Sequence, residues 1–183
     1  DAEPEGATEQ LAVLVEQALR VFEAAGDDLA LYIGYAALGE VAEARERPDA
    51  ALEAYEQAFA HALEAGHQPS WMLGAFAWCR FCGTTPVSEL LAWLDENEPR
   101  AGGDQFFRAY RAWSLARLGR FDEAREIIAE ARTVQTERGG GALLANLTAF
   151  ESVWIELLAG DPAAAAEFGA EGCRLHEELG EQR

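Results

Sequence analysis

Residues 35–42 read Tyr-Ala-Ala-Leu-Gly-Glu-Val-Ala, and residues 51–58 read Ala-Leu-Glu-Ala-Tyr-Glu-Gln-Ala. In both stretches the apolar and small residues recur at the spacing of one face of a helix. Gly39 and Ala51 have almost no side chain, which allows two antiparallel helices to cross closely. Tyr55 is large enough to fill the space beside that crossing. The sequence therefore predicts two tightly packed antiparallel helices here.

The spacing of small, aromatic and small residue in the second stretch also occurs at Ala18, Phe22 and Ala25, and equivalent small positions recur further along the chain. These small positions lie roughly 33 to 41 residues apart, at Ala18, Ala51, Ser88, Ala124 and Ala165. This spacing resembles that of tetratricopeptide repeats, which have a period of about 34 residues. The resemblance implies an all-α fold, a right-handed tetratricopeptide-like helical solenoid of about nine antiparallel helices. No segment alternates with period two, so we predict no strand.

The positions of proline and glycine suggest where the chain is divided into a tail, a repeat domain and loops between helices. Residues 1–6, Asp-Ala-Glu-Pro-Glu-Gly, are polar, and we predict a disordered N-terminal tail. Residues 7–183 are predicted to form a single tetratricopeptide-like repeat domain. Within it, residues 97–104 contain one proline and two glycines, and we predict a loop between helices there.

Composition excludes several classes of function. The net charge is −19 and the pI is near 4.4, which disfavours binding of nucleic acid or of an anionic membrane surface. All 14 basic residues are arginine, so the lysine of a phosphate-binding P-loop is absent. We expect no segment to cross a bilayer. Three cysteines are too few for a disulfide scaffold, which favours a cytoplasmic location.

Three motifs further along the chain add a more specific resemblance. They are Phe-Cys-Gly-Thr-Thr-Pro-Val at 81–87, Leu-Gly-Arg-Phe-Asp-Glu-Ala at 118–124, and Glu-Leu-Leu-Ala-Gly-Asp-Pro-Ala-Ala at 156–164. Together, over roughly residues 66–180, they resemble the tetratricopeptide region of large ATP-binding bacterial signalling proteins. These are the MalT/LuxR-type transcriptional regulators and the ATPase-linked adenylate cyclases. The first motif departs from the family pattern Gly-Pro-Thr-Pro-Val by one residue. The resemblance implies a sensor or scaffold region without catalytic residues.

A few residues could bind a metal or take part in catalysis, namely Cys79, Cys82, Cys173, His61, His67 and His176. The pairs Cys79–Cys82 and Cys173–His176 together offer four side chains of the kind that bind zinc. They lie in distant repeats, however, and solenoid repeats contact only their neighbours. We therefore predict that the cysteines are core residues and that no metal or cofactor is bound. Neither His61 nor His67 has a nucleophile or carboxylate at catalytic spacing, so we predict a protein that is not an enzyme.

Large side chains on the first helix of each predicted pair provide the remaining candidates. On a tetratricopeptide-like array they would line the concave face, where we predict a site made of Arg80, Phe106, Trp113, Arg117, Phe150 and Trp154. Aromatic residues at helical spacing are often core, and that alternative stays open. If exposed, they would bind a protein, a peptide or a small-molecule effector in a larger cytoplasmic regulator. The other possibility is a structural spacer or oligomerisation scaffold, such as a homodimer, with no ligand of its own.

Overall fold

The computed structural model describes residues 6–101 and 105–180, and all regular structure in those residues is helical. Within these residues the structure has nine helices, which confirms the predicted all-α class and the prediction of about nine helices. They are α1 (Ala7–Ala25), α2 (Asp28–Ala44), α3 (Pro48–Glu64), α4 (Trp71–Cys82), α5 (Val87–Ala101), α6 (Gln105–Arg117), α7 (Phe121–Arg138), α8 (Gly141–Ala159) and α9 (Pro162–Glu178).

The described residues form two compact units, 6–85 with α1 to α4 and 86–180 with α5 to α9. Within each unit, consecutive helices pack against each other. The right-handed solenoid and the single domain over 7–183 remain predictions. The predicted tail lies outside the described residues except for Gly6, which directly precedes α1.

Glycine and aspartate together build two of the turns. Gly26 ends α1 at φ 65° and Gly160 ends α8 at φ 77°, in the left-handed region that glycine adopts without strain. The next residue then caps the following helix. The side chain of Asp27 accepts a hydrogen bond from the Ala30 amide, and that of Asp161 accepts one from the Ala164 amide, each at 3.0 Å.

The crossing of α2 and α3 has the predicted construction. Ala51 is fully buried, and the ring of Tyr55 lies over Gly39. A Cβ atom built on Gly39 would lie within 2.8 Å of three atoms of that ring. The Tyr55 hydroxyl lies near the Glu43 carboxylate, one helical turn further along α2. The close steric fit of Gly39 and Tyr55 therefore fixes this helix pair.

The core of the second unit lies between α6, α7 and α8. It includes Leu115, Ile128 and Ile155, each at most 3% exposed. The middle of α8, Leu147–Ser152, is a π-helix, in which backbone hydrogen bonds span five residues instead of four. Against this segment α9 packs through Gly172, where an added Cβ would lie 2.6 Å from the Cα of Ala149.

The predicted loop at 97–104 is partly wrong, because α5 continues through Pro99 to Ala101. Pro99 cannot donate a backbone hydrogen bond, but Leu94, Asn97 and Ala101 are buried at helical spacing. Burial of this stripe outweighs the lost bond near a helix end. Residues 102–104 lie outside the described residues.

Our expectation about membrane-crossing segments also needs correction. In the described part of the chain, α8 is long and apolar enough, by length and composition, to span a bilayer. It contains Glu151 and Glu156, and it packs against α6, α7 and α9. Such a composition also suits a helix in the core of a folded domain.

We expect Gly39→Ala to lower the free energy of unfolding by about 1–3 kcal/mol, because the new methyl group would displace the Tyr55 ring. Gly169→Ala in α9 is the matched control, since its Cβ would meet nothing closer than 3.9 Å. That change should be neutral or stabilise by up to about 1 kcal/mol. Urea denaturation of both variants measures the difference, and equal effects would contradict the proposed role of Gly39.

Candidate binding surface on helices α6 and α8

Large side chains on α6 form one stripe. Phe106, Tyr110, Trp113 and Arg117 follow one another at intervals of three and four residues, which places them on one side of the helix. Phe106 is 55% exposed, and Arg117 is exposed as well. Trp113 is half-buried against the core of the unit, with its ring edge-on to that of Tyr110 at 5.7 Å. The stripe is therefore core at its middle and accessible at its ends.

The corresponding residues of α8 are more exposed. Phe150 is 47% exposed, Trp154 is 55% exposed, and Leu157, one turn further, is 52% exposed. Leu157 was not among the predicted site residues. Because α6 and the second half of α8 pack directly against each other, the two sets of side chains lie on neighbouring helices. We call Phe106, Trp113, Arg117, Phe150 and Trp154 the α6–α8 face.

The sixth predicted residue, Arg80, lies in the other unit, on α4. Its guanidinium group forms an ion pair with Glu56 of α3 at 3.1 Å, and its side chain is 24% exposed. Part of the binding capacity of Arg80 is thus used inside its own unit. Five of the six predicted residues thus lie on two adjacent helices of the second unit, and the sixth lies in the first unit.

Positive charge is concentrated on α6. This helix carries Arg108, Arg111 and Arg117 and no acidic residue, in a chain of net charge −19. Arg111 is paired with Asp95 and Glu98 of α5. Arg108 forms no ion pair with any residue that the structure describes. Arg108 and Arg111 share a cavity with Glu98, Glu123 and Glu126, so Arg117 is the basic group at the end of the stripe.

Two glutamates are buried on the inner side of α8. Glu156 accepts two hydrogen bonds from the Arg125 guanidinium, at 2.8 and 2.6 Å, which compensates its burial. Glu151, in the π-helical segment, is 8% exposed, and its Oε2 atom has no hydrogen-bond partner. Burial raises the pKa of the Glu151 carboxyl to about 7.

The reason for this burial is the register of α8. Its buried residues come in adjacent pairs at four-residue intervals: Leu147–Thr148, Glu151–Ser152 and Ile155–Glu156. A strict four-residue repeat drifts around a regular helix of 3.6 residues per turn. The wider π turn counteracts that drift and keeps both glutamates on the inner side. Sequence reasoning missed them, although two acidic residues in so apolar a segment were a visible signal.

The other candidate residues have mixed outcomes. Cys79 is buried, as predicted, and burial raises the pKa of its thiol to about 12. Cys82 and Cys173 are exposed, so their prediction as core residues was wrong. Their helix faces point outward in the folded units, which the sequence spacing did not reveal. No group of three or more possible metal ligands occurs within residues 6–101 and 105–180.

His61 has a carboxylate partner that its local sequence did not suggest. Its Nδ1 atom lies 2.9 Å from Oδ1 of Asp28, at the beginning of α2. The imidazole also stacks on the ring of Tyr35, with centroids 5.6 Å apart and planes only 4° from parallel. This contact joins α2 to α3 and needs no catalytic function to explain it.

Comparison with known proteins gives no further assignment. No family model, no curated protein and no solved structure matches the chain. The resemblance to signalling proteins thus rests on the sequence motifs alone.

We expect the pH dependence of stability to reveal Glu151. Its pKa is 4.5 as a free group and about 7 when folded, so the folded state favours the protonated form. The resulting stability is complete below pH 4.5 and is lost as pH rises through 7. At 1.36 kcal/mol per unit, the loss is at most about 3 kcal/mol. Glu151→Gln should remove this dependence of the free energy of unfolding on pH.

Urea unfolding of both proteins at several values between pH 5 and 8 provides the measurement. The advantage of Glu151→Gln over wild type should grow with pH across this window. Glu126→Gln, on the exposed side of α7, controls for the loss of one negative charge. Parallel curves for wild type and Glu151→Gln would show that the carboxyl is not desolvated.

Proposed function

We propose that this chain is a non-catalytic interaction module that binds a peptide segment on the α6–α8 face. The observation that carries the proposal is the exposure of Phe106, Phe150 and Trp154, three aromatic side chains on two adjacent helices. Burying such rings contributes strongly to binding, and exposed aromatic groups of this size mark interaction sites. A right-handed tetratricopeptide-like array would present them on its concave side.

The charge of the face indicates the chemistry of the peptide. Arg117 is exposed at one end of the stripe, whereas Arg108 lies on the opposite side of α6, beside glutamates of α5 and α7. A peptide that combines apolar side chains with Asp or Glu would gain contact with the rings and attraction to the Arg117 guanidinium group. Its acidic residues would also disfavour binding elsewhere on this acidic chain.

A cytoplasmic location agrees with this function. Cys82 and Cys173 are exposed and form no disulfide. Free surface thiols persist in reducing compartments and are oxidised or paired outside them. The high negative charge supports a protein partner over nucleic acid or an anionic membrane. The proposed module would then serve as the sensing or scaffold region of a larger regulator.

Selection from a random 12-residue peptide library displayed on phage tests the proposal. Enriched peptides, resynthesised and measured by calorimetry, should contain aromatic or aliphatic residues together with Asp or Glu. Trp154→Ala should weaken their binding by at least about tenfold, the usual loss at an interface hot spot. Leu63→Ala on α3, also an exposed apolar residue, should leave the affinity within about twofold.

Two outcomes would overturn the proposal. One is a library that yields no sequence-specific binder. The other is a peptide whose affinity falls equally in Trp154→Ala and Leu63→Ala. Arg117→Gln examines the charge contribution separately, because it should weaken acidic peptides at low salt and have less effect as salt rises.

A scaffold that forms a homodimer is the second candidate function, and one feature of α1 favours it. Leu11, Leu14 and Val21 share a stripe with Ala18, and all three are between 46% and 64% exposed. Gln10 and Gln17 flank the stripe, so two copies could approach here without direct repulsion between acidic residues. Pairing of two such helices would bury the exposed leucines.

Sedimentation equilibrium distinguishes this candidate. If the scaffold function holds, wild type should dimerise in the micromolar range, and Leu14→Glu should be monomeric. Val13→Glu, an equally apolar and exposed site off the stripe, should still dimerise. A monomeric wild type, or equal loss of dimer in both variants, would rule out this interface.

A further inference from the structure

The first unit has a cavity where α1 and α3 diverge. Both helices pack on α2, but no Cα atom of α1 comes within 8 Å of α3 in this described unit. The space between them has a volume of about 530 Å³, within the usual range for ligand sites. Leu38, Val41 and Ala54 are among its apolar lining residues. None of the residues of the α6–α8 face contributes to it.

One end of this cavity is basic. Arg45 and Arg47 both line it, at the turn between α2 and α3. Residues 1–85 contain 15 acidic and four basic residues, so half of the positive charge of this region is at one place. Arg47 forms no ion pair with any described residue, and Arg45 has only a 3.6 Å contact with Glu9, which is 68% exposed. Such an exposed pair contributes little and is easily exchanged for another anion.

The backbone of this turn is unusual in the same place. Glu46, between the two arginines, has φ 55°, and it is the one non-glycine residue with positive φ among residues 6–101 and 105–180. At the ends of α1, α7 and α8 the left-handed position is glycine. A non-glycine residue there costs roughly 1 kcal/mol or more. Backbone strain of this kind often accompanies binding sites.

The floor of the cavity has a definite length. Tyr35, Leu38, Ala42 and Arg45 lie on one side of α2 and all line the cavity. Ten residues separate the first from the last, which corresponds to about 15 Å along the helix. This length suits an extended hydrocarbon chain of about ten carbons with one charged end.

We propose that this cavity binds a linear amphipathic carboxylate, with its head group at Arg45 and Arg47 and its hydrocarbon chain along α2. A carboxylate would accept hydrogen bonds from both guanidinium groups. The chain would bury the apolar surface that Tyr35, Leu38 and Ala42 expose in the cavity. Glu16 and Glu53 line the walls further from the turn, which disfavours a ligand carrying a second negative charge.

The acidic walls also set the orientation of the ligand. Glu16 lies seven residues beyond Glu9 on α1, about 10 Å further from the contact with Arg45. Glu53 lies six residues beyond Arg47 on α3. A carboxylate placed at the Tyr35 end would lie near Glu16 without an arginine to compensate it. The head group therefore belongs at the turn.

Titration with sodium decanoate tests the proposal, followed by NMR of alanine methyl groups. Ala42, Ala50 and Ala54 line the cavity, and their signals should shift, whereas those of Ala145 and Ala165 in the second unit should not. We expect one site with a Kd of about 0.1 mM or lower. Octanoate should bind more weakly, by roughly two- to fourfold for each methylene group removed.

Three comparisons separate this site from unspecific hydrophobic binding. Decanol and decyltrimethylammonium, with the same chain and no negative charge, should bind at least about tenfold more weakly than decanoate. The double variant Arg45→Gln/Arg47→Gln should lose affinity for decanoate by at least about tenfold. Arg20→Gln, an exposed arginine of α1 outside the cavity, should remain within about twofold of wild type.

Absence of binding at about 1 mM decanoate would overturn the proposal. Equal affinity for decanoate and decanol would do the same, and so would shifts centred on the second unit. The wild-type comparisons need no variant, so a folding defect in the double variant cannot obscure the answer. The peptide experiments on Trp154 test the second unit. Failure of peptide binding there would leave the carboxylate site unaffected, and the reverse is also true.

Discussion

The contact between Gly39 and the Tyr55 ring is the constraint on which the first unit depends. Because α2 presents no side chain at this position, α3 approaches it until the ring touches the helix backbone. The Tyr55 hydroxyl also lies near the Glu43 carboxylate, so one side chain provides both the apolar contact and a polar interaction. Burial and this nearby carboxylate raise the pKa of the Tyr55 hydroxyl, which therefore stays protonated at neutral pH. With one face of each helix used in this way, the other faces are left for neighbouring helices or for ligands.

That division of faces explains why the two candidate sites look so different. In the second unit, α6 and α8 pack against each other, and α7 and α9 cover their inner sides. Phe150 and Trp154 are therefore left exposed on the side that α7 and α9 do not cover, where they suit a partner that supplies an extended backbone or apolar side chains. In the first unit α1 and α3 stay apart, and the backbone of α2 lies at the bottom of an open space. A concave space with a charged end favours a small, elongated ligand instead.

The sequence could predict those features that depend on contacts between residues close together in the chain. The Gly39–Tyr55 crossing and the Gly26–Asp27 turn depend on residues close in sequence, and both were predictable. The helix through Pro99 was not, because it depends on burial of Leu94 and Ala101 by other parts of the fold. Exposure of Cys173 and the pairing of His61 with Asp28 were missed for the same reason, since each depends on contacts with distant residues. The five site residues on α6 and α8 were named from spacing, but which of them are exposed became visible only in three dimensions.

Glu151 shows how local geometry and burial act together in the second unit. A regular α-helix would carry a four-residue repeat gradually around its axis, and the π-helical turn prevents this. The same turn allows Gly172 of α9 to approach the backbone of Ala149, so the two irregularities support each other. As a consequence, the Glu151 carboxyl group is buried on the inner side of the helix that also carries Phe150 and Trp154, and one of its oxygens has no hydrogen-bond partner. Because the ionised form is costly there, protonation of Glu151 and the stability of the second unit are linked, and the exposed rings are carried by a helix whose stability varies near neutral pH.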